Sequence, residues 1–118
     1  MEFNENFTIA RKTKNLIIQI DPLLENIPKK DLFSRDTIKE TTITLLESIY
    51  HANLIKRDKE RKLYYQEQSI VKLRLLDFHI ERLYKLKYIS GKKVINISNS
   101  IEELNKMIYG WIKSAMWL

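Results

Sequence analysis

Cysteine is absent from this chain, and glycine and proline occur only twice each. Without thiols there is no disulfide framework and no thiolate metal site, and a reducing compartment is allowed. A β-sandwich or barrel turns every ten residues or so, and the residues for such turns are missing. Few, long elements remain, and long elements mean helices. No stretch approaches the roughly 18 apolar residues of a membrane span. The first residues, MEFNENFTIARKTKN, have no apolar run behind a basic start, so they do not read as a signal peptide. A cytoplasmic location is expected, with no membrane partner. There is also no Gly-rich phosphate loop, nucleophile elbow or paired-carboxylate motif. The reading is of a protein that is not an enzyme and needs no cofactor.

What is present is a chain of 118 residues, 44% hydrophobic and 31% charged. Those values suit one globular domain over 1–118. Apolar positions repeat at helical steps in four segments. Ile9, Thr13, Leu16, Ile20, Leu23 and Ile27 form one stripe of a helix over about 5–27, with a kink expected at Pro22. A second helix, about 34–55, has Ser34 as N-cap, Asp36 in its first turn, and the stripe Ile38, Thr42, Leu45, Ile49 and Ala52. The third and longest, about 59–88, starts at an Asp58 cap and carries Leu63, Ile70, Leu73, Leu76, Ile80 and Leu83. The fourth, 91–117, follows a Ser90 cap; its stripe Val94, Ile97, Ile101, Leu104, Ile108, Trp111 and Ala115 overrides the loop-like composition of NISNS. Gly110 falls inside it, where a close neighbouring backbone or room for Trp111 would explain a residue that weakens helices. The fold class expected is all-α, an antiparallel up-down-up-down four-helix bundle.

The third helix has a second apolar face. Tyr64, Val71, Leu75 and Phe78 point almost opposite its main stripe, with coiled-coil-like steps of 7, 4 and 3. A four-helix bundle buries one face of each helix, so this seam predicts contact with another subunit. The alternative is that a wide bundle encloses it. Ala10, Ile17 and Leu24 form a weaker second stripe on the first helix.

Charge is distributed unevenly. Residues 1–54 hold seven Lys and Arg against eight Asp and Glu, residues 94–118 two against two, and residues 55–93 twelve against five. Lys56, Arg57, Lys59, Arg61 and Lys62 cluster at the second junction; Arg74, Arg82 and Lys85 flank the seam; Lys87, Lys92 and Lys93 gather beyond it. Symmetric copies would repeat this surplus into a band that phosphate backbones bind with strong salt dependence and little sequence preference. Tyr64 and Tyr65 lie among these cations and could stack on bases or pack inside the protein. An acidic protein is the other partner that such a surface would suit. The two histidines, His51 and His79, read as structural; Glu47 and His51 have ligand spacing, but no second motif matches it. No metal site is expected.

DPLLENIPKK at 21–30, Leu73-Arg74-Leu75-Leu76, and Gly110-Trp111-Ile112-Lys113-Ser114 carry a resemblance over roughly 16–117. The chain resembles the small four-helix-bundle family that includes the accessory variability determinant (Avd) of diversity-generating retroelements. Relatives of that family are encoded in intervening sequences of ribosomal RNA genes. The resemblance implies a basic homopentamer that binds nucleic acid, in particular template RNA. It also implies association with a reverse transcriptase during mutagenic complementary-DNA synthesis. The ribosomal-insert members share the bundle without a settled activity. The chain shows no basic tail after the fourth helix, so nucleic-acid binding would rest on 56–93.

Overall fold

A computed structural model describes residues 7–116. Its elements are α1 (Thr8–Leu24), a 3₁₀ turn (Lys29–Asp31), α2 (Leu32–Leu54), α3 (Lys59–Lys85) and α4 (Gly91–Met116). No strand occurs among the described residues. The four α-helices pack as an elongated bundle of 47 × 23 × 23 Å. Each helix touches its neighbours in sequence, α1 also meets α4, and α2 with α3 forms the most extensive pair. The backbones of the diagonal pairs stay apart, so the core is the space that the four stripes enclose.

The helical periods read from the sequence fill that space. Ile20, Leu45, Ile49, Leu73, Leu76, Ile80, Leu83 and Ile108 are wholly inaccessible to solvent. Ile97, Ile101 and Leu104 of the polar-looking α4 start are buried with them. Thr13 and Thr42 enter the core because their hydroxyls donate to backbone carbonyls of their own helices, at 2.7 Å to Ile9 and 2.8 Å to Lys39. A buried hydroxyl so satisfied costs little. The Ala115 end of the α4 stripe, and residues 5, 6 and 117 of the expected helices, lie outside the residues whose side chains or placement are described.

Helix ends depart from expectation where capping chemistry intervenes. α1 stops at Leu24, not Ile27: Asn26 and Ile27 donate backbone N–H groups three residues back, and Pro28 then holds extended backbone. A residue before proline is driven out of the helical region. Ile27 stays buried and closes that end of the core. Pro22 lies within α1, which continues past it to Leu24. α2 begins at Leu32, and its N-cap is Asp31, not Ser34. The Asp31 carboxylate accepts from the Ser34 N–H at 3.2 Å and from its hydroxyl at 2.8 Å, which is the ordinary capping bond to the third helical residue. Asp36 consequently falls beyond the first turn.

α3 ends at Lys85, three residues short of Tyr88. Lys87 adopts φ 65°, its N–H donates to Tyr84 O at 2.9 Å, and Tyr88 N–H donates to Leu83 O at 2.9 Å. This pair of bonds is the Schellman arrangement, with lysine where glycine is usual. No glycine marks it, so the sequence hides it. Two other caps stand as read: Asp58 accepts from Arg61 N–H at 3.0 Å, and Ser90 Oγ accepts from Lys93 N–H at 3.3 Å. The second stripe of α1 is largely taken up by the core: Ala10 and Leu24 are buried there and Ile17 is half-buried. A Cβ at Gly110 would meet nothing within 4 Å, so no neighbouring backbone of this chain demands glycine there.

One polar cluster ties three segments together at the end where α2 starts and α3 stops. Asp31 also accepts from Tyr88 OH at 3.1 Å, and Arg82 Nη1 donates to Ser34 Oγ at 2.9 Å. The Ser34 bonds, chiefly that of its hydroxyl, hold the Asp31 carboxyl below its ordinary value of 3.8. A depressed carboxylate stabilises the fold fully above its unfolded-state pKa, and the contribution fades as pH falls through the lower folded value. Asp31→Asn is therefore expected to lower the thermal midpoint at pH 7. The gap between variant and parent should close in acid, below pH 3.8. Melting curves from about pH 7 to about pH 1.5 check this, and a gap constant with pH contradicts the role given to Asp31.

Candidate nucleic-acid interface and association seam

The seam on α3 remains uncovered within the protomer. Tyr64, Val71, Leu75 and Phe78 are 50, 48, 41 and 59% exposed, while Leu76 beside Leu75 is 0% exposed. α3 thus presents apolar side chains on two faces, and only one of them packs in the core. The patch continues onto α2 through Phe33, which lines a recess of about 260 Å³ with Phe78, His79 and Arg82. Phe33 lies on no α2 stripe, so only the packing of α2 on α3 brings it to the seam. Ile43, 58% exposed, forms a second apolar spot on the outer side of α2.

The eleven basic residues divide by what their side chains already do. Lys62 Nζ donates to Ala52 O at 2.8 Å and Ile55 O at 3.1 Å, satisfying the last carbonyls of α2, and sits 5.2 Å from the Trp111 ring centroid. Burial, and then the charge of Lys56, lower its pKa. A lysine used this way is a structural part. Arg82 is spent on Ser34, and Lys56 Nζ donates to Asn53 O at 3.0 Å. Arg74 pairs with Glu102 at 3.6 Å and Lys85 with Glu81 at 3.5 Å. Both pairs are exposed, so they are weak enough to exchange for a phosphate. Arg57, Lys59, Lys87, Lys92 and Lys93 make no side-chain ion pair or hydrogen bond to other described residues. They form two groups at opposite ends of α3, since Arg57 and Lys59 precede or open the helix and the other three follow it.

The two histidines take different positions. His51 stacks on Tyr65 with centroids 4.6 Å apart and planes 14° apart. His79 lies edge-on to Phe78 at 5.7 Å, and burial, with Arg82 nearby, lowers its pKa. Among the described residues no three His, Asp or Glu side chains gather where they could hold a metal ion. Among them, too, no helix is long and apolar enough to cross a membrane. Tyr64 in turn stacks on Tyr65, at 5.2 Å and 9°, and the Arg61 guanidinium lies 5.9 Å from the Tyr65 centroid. Sequence reading pointed to Tyr64 and Tyr65 but missed His51 as the third ring, because that contact joins two helices. No protein-family model matches this chain, and no curated protein matches it.

Proposed function

We propose that this protein is a non-catalytic, oligomeric accessory protein that binds RNA through its basic ends and assembles through the α3 seam. The observation that carries the reading is the seam itself: four apolar side chains about half exposed on one face of a helix whose other face is the core. The helices run up, down, up and down. Phe7, just before α1, and Lys12 and Gln19 within it meet Trp111, Glu103 and Ser100 of α4 in reverse order, which supports that course. So do the bonds that join the end of α2 to the start of α3 and the end of α3 to the start of α2. Five copies, a template RNA and a reverse transcriptase in the cytoplasm complete the reading, as the Avd resemblance implies. In that setting the assembly holds RNA while complementary DNA is made.

Electrophoretic mobility shifts with a structured RNA, run across a salt series, test the RNA-binding part. Each phosphate contact adds about 0.7–0.9 to the slope of log affinity against log salt. Four or more contacts then weaken binding by roughly fiftyfold or more between 50 and 200 mM salt. Binding that ignores salt, or none at low salt, rejects the reading. An acidic protein bound after gentle purification, with no nucleic acid, makes the chain a protein-interaction scaffold instead.

A further inference from the structure

We infer that the Tyr64–Tyr65–His51 stack is a platform for an unpaired nucleobase of a single-stranded nucleic acid, with Arg61 and Arg57 taking the adjoining phosphates. The inference rests on the RNA-binding reading and narrows it to unpaired strands. Three rings from two helices lie nearly parallel, with successive planes 9° and 14° apart. Successive residues of a helix diverge by about 100°, so parallel rings at Tyr64 and Tyr65 reflect stacking and not backbone direction. The column ends in Tyr64, which is exposed; another flat ring can add to it at the same spacing. Every base offers such a ring, so recognition by stacking tolerates any sequence.

The charges around the column are oriented. Arg61 sits over Tyr65, on the side of α3 that faces α2. Arg57 lies four residues before it, just ahead of the Asp58 cap. The acidic neighbours Glu60 and Glu67 lie on the opposite flank of Tyr64, by their positions on the helix. The third nearby carboxylate, Asp58, is occupied with capping Arg61 N–H. A base on Tyr64 would thus send its phosphates toward Arg61 and away from the acids. Tyr64 precedes Val71 by seven residues, about 10 Å of helix. A subunit covering Val71, Leu75 and Phe78 leaves the platform at its edge.

Fluorescence anisotropy with labelled unpaired oligouridine RNA, the same sequence in DNA, and an RNA duplex of equal length tests the proposal. The full chain and its Tyr64→Leu and Tyr64→Phe variants are compared. Tyr64→Leu should lose about tenfold in affinity for unpaired strands, leave duplex binding unchanged, and keep the salt slope. Tyr64→Phe should bind like the parent. A loss in RNA alone, or in RNA and DNA together, supports the platform and says which strand it takes. Repeating the pair in a Val71→Glu/Leu75→Glu background removes any contribution from association, and the loss should persist there. If unpaired and duplex RNA bind alike and Tyr64→Leu changes neither, the platform is wrong while salt-dependent RNA binding stands. If the parent binds none of the strands at low salt, both readings fall.

Discussion

Val71→Glu/Leu75→Glu is expected to convert the proposed assembly into single chains of 14.2 kDa without loss of helix. Both side chains are about half exposed in the protomer, so a carboxylate there reaches water and disturbs the fold by about 0.5 kcal/mol or less. In an interface the same two groups lose that water. The penalty for burying an unpaired charge is several kcal/mol per ion, and every symmetric contact would carry both. Since 1.4 kcal/mol is a factor of ten in an equilibrium constant, association fails by several powers of ten. Light scattering reads the mass and far-ultraviolet circular dichroism reads the helix. An unchanged mass places the subunit contact elsewhere on the surface; loss of helix shows that the seam supports the protomer.

Leu76→Ala, one residue along the same helix, has the opposite consequence. Its side chain is fully enclosed, so truncation removes three carbons from the core and leaves a cavity that rigid neighbours do not fill. Such changes cost about 2–5 kcal/mol, a large part of the 5–15 kcal/mol that holds a typical domain together. Urea unfolding in the monomeric Val71→Glu/Leu75→Glu background isolates this term, because association then adds nothing to apparent stability. The expected result is a loss of about 3 kcal/mol. A loss below about 1 kcal/mol would mean that the Leu76 site collapses around the missing atoms, or that the core is loosely packed.

This contrast between adjacent leucines shows what the sequence makes legible. Periodicity separates Leu76 from Leu75 because a helix turns about 100° per residue, and the same argument finds the α4 stripe through a segment whose composition favours a loop. Burial sums over many positions, so a period survives weak local preferences. Capping depends on single side chains and does not survive as well. Nothing in DLFS or KLKY distinguishes Asp31 from Ser34 as cap, or marks Lys87 as the left-handed residue. Within the candidate site, the sequence supplies the cations but not their occupations. Lys62 reads like its neighbours until α2 ends beside it and presents carbonyls to its ammonium. The His51 ring joins Tyr65 only because α2 and α3 pack closely at that end.

The length of α3 decides how positive charge would be shared among copies. Its 27 residues extend for about 40 Å, and the cations least engaged with neighbours sit at or beyond its two tips. Subunits lined up side by side along the seam would then carry two coaxial hoops, one at each mouth of the assembly, with Lys72 and Arg74 between them near mid-height. No single equatorial girdle forms. A strand held by both hoops must travel the rod from end to end, whereas a shorter one chooses a mouth.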